Sequence, residues 1–206
     1  MTPGGLSAAA RSLAGMSDLV IGADGLARCP WGASTPDYAV YHDTEWGRPL
    51  RGDDALFERV ALEAFQSGLS WLTILRKRPA FRAAFAGFRI AAVADYGPDD
   101  VARLLADPGI VRNRAKIEAT IANARVARDL PDGLTALLWA YAPARRAACP
   151  ARLADVPATT PESAALAREL KRRGFRFVGP TTAYALMQAT GMVDDHLTGC
   201  HVAPAG

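Results

Sequence analysis

Residues 53–68 read DDALFERVALEAFQSG, and the fold class turns on this stretch. Leu56, Phe57, Val60, Ala61, Ala64 and Phe65 recur at helical spacing, Asp53 or Asp54 can cap the start, and Gly68 supplies a stop. Two carboxylates ride on this helix. Glu63 falls at the border of the apolar stripe beside Leu56 and Val60, and Glu58 near the other border beside Phe65, so periodicity does not choose between them. A solvated-edge carboxylate is the alternative for both. The same period continues over about 71–85, 98–105, 112–128, 134–141, 161–173 and 180–190. No alternating pattern competes, which predicts an all-α fold of roughly six to nine short helices joined by Gly/Pro turns, without internal repeats.

The chain has 206 residues, half of them apolar. Its mean hydropathy is +0.03. That length suits one domain with a substantial core. No apolar run approaches the roughly 18 residues of a membrane span, so the chain reads as soluble. The opening MTPGGLSAAARSLAG lacks the sustained apolar core of a secretory signal. Residues 1–27 read as a disordered extension and 28–206 as a single helical domain, with an Ala/Pro/Arg-rich loop between Tyr141 and Pro161 as a weaker second boundary. Three cysteines, odd in number and far apart, argue against a disulfide framework and for a cytoplasmic setting. The net charge of +3 is gathered in clusters at Arg76–Arg78, Arg112–Lys116 and Lys171–Arg173. Such clusters point to a phosphate-rich partner, with solvated helix faces as the alternative.

Near the end, DDHLTGCH spans Asp194 to His201. His196 and Cys200 stand four apart, so on a helical turn both leave one face and can share an ion. Cys29 and His42 form a second, looser pair. Two Cys and two His close a tetrahedral zinc shell of the structural kind, whereas a catalytic zinc keeps one position for water. The alternative is a hydrogen-bonded core histidine beside a small buried thiol. Zinc-finger peptides bind zinc with about 10–16 kcal/mol, comparable to the roughly 5–15 kcal/mol stability of a whole domain. A zinc joining Cys29 and His42 to His196 and Cys200 would staple the chain ends together. His201 is a spare ligand by chemistry, and Cys149 has no paired neighbour.

Of the four tryptophans, Trp31, Trp46 and Trp71 lie in the strings CPWG, YHDTEWG and LEAFQSGLSW. The first two strings are Gly/Pro-punctuated and adjoin the ligand candidates, a setting in which aromatics line pockets. For any one of the four, simple core packing is the alternative.

At this point four strings, RCPWGASTPDYAVYHDTEWG, LEAFQSGLSWLTILRKR, GIVRNRAKIEATIANA and LKRRGFRFVGPTTAYALMQATGMVDDHLTGC, together resemble the 3-methyladenine DNA glycosylase I family of bacterial base-excision repair. The likeness is collinear from Arg28 to Cys200. It implies a helix-hairpin-helix glycosylase fold with a zinc site joining the two terminal segments. It places the four zinc ligands on Cys29, His42, His196 and Cys200, and the base pocket on Glu63, Tyr41 and Trp71, with Trp31, Trp46 and Tyr38 beside them. Glu63 is thereby preferred to Glu58 as the catalytic carboxylate. The DNA phosphate-binding hairpin falls on GFRFVG, with Gly174, Phe177 and Gly179 as its marks, since a glycine turn feeding a helix offers backbone N–H groups and a positive dipole end.

The implied activity is hydrolytic release of 3-methyladenine from alkylated double-stranded DNA, on or near the nucleoid, by a monomer without an organic cofactor. No lysine follows Lys171, which argues against a lyase step through a Schiff base. Three cysteines cannot supply a four-cysteine iron–sulfur cluster. Asp194 and Asp195 lie where superfamily relatives carry a water-activating aspartate, but this family is regarded as lacking that role, so both read as supporting the metal site. A non-catalytic, zinc-stapled DNA-binding protein and a zinc hydrolase are the competing readings. Met16 opens MSDLVIGADGLARC, which reads as a natural start. The intact mass of protein made from its native locus should therefore begin at Met16 or Ser17, and a mass that includes Met1 or Thr2 would contradict this.

Overall fold

The structure, a computed structural model, describes residues 18–144 and 149–202. Residues 1–17 of the expected extension, Met16 among them, and 145–148 of the expected loop lie outside the described residues. Nine α-helices are found among those described: α1 (Pro36–Thr44), α2 (Asp53–Gln66), α3 (Trp71–Ala84), α4 (Ile90–Ala94), α5 (Pro98–Ala106), α6 (Arg114–Arg128), α7 (Gly133–Trp139), α8 (Pro161–Arg172) and α9 (Pro180–Ala189). The expected helices all form, and two more appear. Helix α4 is too short to display a period. Helix α1 carries no apolar stripe, because its buried residues are Tyr41 and His42.

Every residue of α2 from Leu56 to Phe65 is buried. Helices α3, α4, α6, α7 and α9 pack around it. An apolar core runs through Phe57, Phe65, Ile74, Phe81, Phe85, Ile117, Leu134 and Leu170. The amphipathic reading of α2 therefore needs correction: the helix is central, and Glu58, Arg59 and Glu63 lie inside the protein.

The capping assignment is corrected too. Gly52 precedes α2 without a side-chain cap. Asp53 instead accepts the Leu134 and Thr135 N–H groups at 3.1 and 2.8 Å and so caps α7, while Asp54 accepts the Ile90 N–H at 2.8 Å and starts α4. In the first turn of a central helix these carboxylates meet the orphan donors of its neighbours. The far end of α2 is held by Lys116, whose ammonium donates to the Phe65 and Ser67 carbonyls at 2.8 and 2.6 Å.

The basic clusters are largely consumed by such internal contacts. Arg78 donates to Glu58 at 2.6 Å and to Glu45 at 2.8 Å. Lys77 donates to the Pro108 and Gly109 carbonyls, and Arg172 and Arg173 both pair with Glu169.

Residues 18–27, expected to be part of a disordered extension, carry a small hairpin in which β1 (Val20–Ile21) pairs antiparallel with β2 (Ala27–Arg28). Two-residue strands are too short to show alternation, so the sequence gives no strand signal. The hairpin is tied down by Arg28, which donates to Asp24 at 2.7 Å and to Asp43 at 2.8 Å.

Helices α8 and α9 pack against each other and are joined by the GFRFVG turn. Gly174 takes φ 102°, a region open to glycine. Asn123 of α6 fixes the turn by donating to the Arg176 carbonyl at 3.1 Å and accepting the Arg176 N–H at 2.8 Å. Replacing Asn123 with Ala should cost about 1 kcal/mol, because it strands a part-buried donor and acceptor of Arg176. The Arg176 amide should then exchange faster with solvent; unchanged stability and exchange would contradict the anchoring role.

Candidate active site

A cavity of about 310 Å³ opens where α1, α2, α3 and α9 meet. Trp31, Tyr38, Tyr41, Trp46, Glu63 and Trp71 all line it, so the six residues nominated for the pocket are brought together. Each arrives by a local cause. Ser70 caps α3 by accepting the Thr73 N–H and so starts the helix at Trp71. The Tyr38 hydroxyl accepts the Leu72 N–H at 2.9 Å and ties α1 to the start of α3. Trp31 stands edge-on to Trp46 at 5.0 Å and to Tyr38 at 5.7 Å. Tyr41 leans on Trp71 at 5.5 Å.

Glu63 is the one carboxylate of α2 left without a partner. Glu58 is held by Arg78 and Arg82, and Arg59 is held by Glu45 at 2.5 Å. Glu63 is only 6% exposed and receives no hydrogen bond among the described residues. Burial pushes its pKa up to about 8, against the pull of the Arg59 guanidinium. Burial likewise pushes the Tyr41 hydroxyl well above the usual phenol range, with the Glu63 charge adding to it. Glu58 and Glu63, alike in the sequence pattern, differ in their surroundings: one is paired with arginines and the other faces a cavity.

Several lining residues were missed by sequence reasoning. Gln66, Leu153, Val156 and Gln188 contribute to the wall. Asp195 also lines it, accepting from the Tyr184 hydroxyl at 2.5 Å and the Gln188 amide at 2.8 Å. Their residue types carry no motif, and a helical period does not reveal which face meets a cavity.

Beside this cavity lies a sulfur–imidazole cluster. Ligand atoms of Cys29, His42 and Cys200 all lie within 4.8 Å of one another. His196 flanks them, its ring 4.9 Å from that of His42 and edge-on. Each imidazole is oriented by a neighbouring carboxylate: His42 Nδ1 by Asp43 at 2.8 Å, and His196 Nδ1 by Asp194 at 2.7 Å. His196 Nε2 is buried without a partner. His42 Nε2 is 3.5 Å from the Cys200 sulfur.

Two thiols, two imidazoles held at Nδ1 and one orphaned buried Nε2 fit the donor set of a tetrahedral zinc site. The hydrogen bond from Cys29 holds the Cys200 thiol down to about 3. The same bond, together with burial, pushes Cys29 above its usual range.

His196 and Cys200 sit on a turn closed by Cys200 N–H to the Leu197 carbonyl at 2.9 Å, rather than on a helix. His201 is engaged elsewhere, on Asp43 at 2.9 Å. Cys149 stands outside the cluster. Gly47 takes φ 74°, and a Cβ there would lie 2.7 Å from the His196 ring. The turn into Trp46 is thus moulded to the cluster, and Trp46 stacks edge-on against His196 at 4.7 Å.

The third nominated site is the hairpin. Gly179 leads into α9 without a side-chain cap, and Phe177 projects at 41% exposure with φ 57°. A shallow groove of about 410 Å³ runs along it past Lys171, Arg176 and Thr182.

Residues 31–203 match the model of the methyladenine glycosylase family. The chain is 42% identical to DNA-3-methyladenine glycosylase 1 of Escherichia coli strain K12 over 177 residues, which cover 84% of this chain and 95% of that one. A crystal structure of 3-methyladenine DNA glycosylase I superposes with a TM-score of 0.82 at 43% identity, covering 86% of this chain and all of the other. A structure described as the basis of 3-methyladenine recognition by 3-methyladenine DNA glycosylase I from Staphylococcus aureus gives a TM-score of 0.82 at 34% identity, covering 87% and 97%.

The raised pKa of Glu63 has a consequence for stability. Between its usual value of 4.5 and about 8, the folded state holds a proton that the unfolded chain has lost. Stability should therefore fall as pH rises through that window, by about 3 kcal/mol at pH 7. Glu63→Gln should remove this loss, and urea melts at pH 5 and pH 8 test it. An identical pH slope in wild type and variant would contradict the assignment.

Proposed function

The chain belongs to the methyladenine glycosylase family, and we propose from the geometry above how it carries out the hydrolytic release of 3-methyladenine from DNA. The observation that carries the proposal is the buried, unpartnered Glu63 in a cavity walled by Trp31, Tyr41, Trp46 and Trp71.

Adenine methylated at N3 within DNA is a cation. Extruding it from the stack costs a few kcal/mol, less for a damaged base. The aromatic walls return about 1–3 kcal/mol by stacking, and a desolvated cation over an aromatic face adds about 2 kcal/mol.

Glu63 then makes the choice between cation and neutral base. In the empty pocket its carboxyl holds its proton up to about pH 8. A cationic base supplies the missing counter-charge, so the carboxylate forms and accepts a hydrogen bond from the exocyclic amino group. Neutral adenine supplies none, and would leave either a protonated acid or an uncompensated buried charge. Recognition is thereby coupled to the lesion's charge.

The chemical step asks less of the protein. The bond from the base to C1′ breaks with its electron pair moving onto the ring, so the base departs neutral; water supplies the new oxygen at C1′ and loses a proton. The leaving group is already activated, so positioning and recognition dominate. Asp195 is engaged by Tyr184 and Gln188, and Asp194 orients His196, which supports a positioning role for both. The product is an abasic site, without backbone cleavage.

The α8–turn–α9 unit acts as the helix-hairpin-helix element. Its support is the uncapped start of α9 after Gly179 and the open groove beside it, where first-turn N–H groups can meet one phosphate of double-stranded DNA. Cys29, His42, His196 and Cys200 would hold one structural zinc, which would cross-link the two terminal segments. Because Trp46 packs on His196 and Trp31 on His42 at 5.2 Å, this cross-link also holds one wall of the pocket. No described helix is long and apolar enough to cross a membrane. Cys29, Cys149 and Cys200 form no disulfide among the described residues, which supports work in the cytoplasm on nucleoid DNA, with the protein acting as a monomer.

The wild-type protein should release free 3-methyladenine from methylated DNA, and Glu63→Gln should lower kcat/KM by about 10²–10³ while DNA binding persists. Wild type that binds DNA and releases no base would defeat the reading in favour of a non-catalytic binder. Removing the metal with a chelator should lower the melting temperature, with activity falling in step with folding. A folded, metal-free protein that is inactive would point instead to a catalytic ion.

A further inference from the structure

The cavity has a wall that neither the aromatic cluster nor Glu63 accounts for. Leu153 lines it from a 3-10 turn (Leu153–Asp155), and Val156 from the residue that ends this turn. Residues 151–155 are all exposed, and Leu153 remains 47% exposed at the mouth of the pocket. A large aliphatic side chain left in water beside a binding cavity is surface available for burial by a ligand.

The turn is placed by hydrogen bonds, and Val156, which follows it, packs against the apolar core. Asp18 accepts the Leu153 N–H at 2.7 Å. Thr198 donates its N–H to the Pro150 carbonyl at 2.9 Å and its hydroxyl to the Cys149 carbonyl at 3.1 Å. Asp155 closes the turn by accepting from the Arg152 N–H at 3.0 Å.

Asp18 is fixed in its turn by the hairpin that follows it. His201 donates its N–H to the Ala27 carbonyl at 2.8 Å, Arg28 grips Asp43, and the Leu19 side chain lies close to Gly199. Asp18 also precedes the family match, which begins at residue 31.

Resting on the reading of this cavity as a base site, we propose that Leu153 and Val156 form an apolar jaw against the face of the alkylated purine, and that Asp18 is the positioning residue that sets it. The jaw completes a sandwich: aromatic rings supply stacking and charge stabilisation on one side, and the aliphatic pair excludes water on the other. Closing over the base buries Leu153 only when the pocket is filled, so its contribution is made to the bound state and not to the fold.

The test uses the full chain and free 3-methyladenine as the probe, with binding followed by the fluorescence of the pocket tryptophans. Leu153→Ala should weaken binding roughly tenfold, the scale of withdrawing one leucine from an apolar contact. Asp18→Leu, which removes the acceptor, should weaken it severalfold, while Asp18→Asn should restore wild-type affinity because its amide oxygen accepts the same N–H. Melting temperatures should stay within a few degrees of wild type, since Leu153 is exposed and makes little of the core. Wild-type binding with an unaltered Leu153→Ala constant would overturn the jaw. Asp18→Asn as impaired as Asp18→Leu would overturn the positioning role. A wild type that neither binds 3-methyladenine nor releases it from DNA would defeat the base-site reading itself, and the jaw with it.

Discussion

A helix buried on all sides has to resolve every charge it carries, and α2 carries three in its interior stretch. Glu58 is answered by Arg78 and Arg82, and Arg59 by Glu45. These pairs also cross-link the helices, since Glu45 follows α1 and Arg78 lies on α3. Glu63 is the remainder. Desolvation without a partner is destabilising, and a fold tolerates it where the group serves a ligand that brings the missing charge. On the proposed reading, the burial of α2 and the choice of a cationic base are two consequences of one constraint.

The aromatic walls connect this carboxylate to the sulfur–imidazole cluster. Trp46 touches both the cavity and His196, and Trp31 touches both the cavity and His42. The cluster in turn gathers the hairpin around Arg28, the end of α1 at Asp43 and the tail through His201. Segments that begin and end the described chain therefore converge on one edge of the pocket, which explains how a short tail without a helix stays ordered. The residues of this cluster do not line up on the carboxylate themselves: they hold the rings that wall the cavity.

Much of this was legible in the sequence, though unevenly. The helices from Asp53 onward follow from periodicity, and residue type and spacing single out the Cys and His side chains that the structure brings near one another. The six pocket residues came from a resemblance carried by contiguous strings, and the structure gathers all six around one cavity. Other features were hidden for identifiable reasons. Central burial of α2 was masked because its interior charges imitate a solvated edge. Asp53 and Asp54 look like caps of their own helix but serve α7 and α4, a tertiary choice no local pattern contains. The basic clusters suggested a phosphate partner, whereas Arg78, Lys77 and Lys116 are spent on carboxylates and carbonyls inside the protein. Leu153, Val156 and Gln188 lie in strings with no signature, and only the folded chain brings them to the pocket.

The central claim is that Glu63 is a latent charge awaiting a cation. It is tested most directly by following the Glu63 side-chain carboxyl by carbon NMR while titrating pH, with the pocket empty and then filled by 3,9-dimethyladeninium, a permanently charged mimic of the lesion. The account predicts a midpoint near 8 in the empty pocket, moving down by more than one pH unit when the cation binds. A midpoint close to the usual 4.5 in the free protein, or one that bound cation leaves in place, would contradict it.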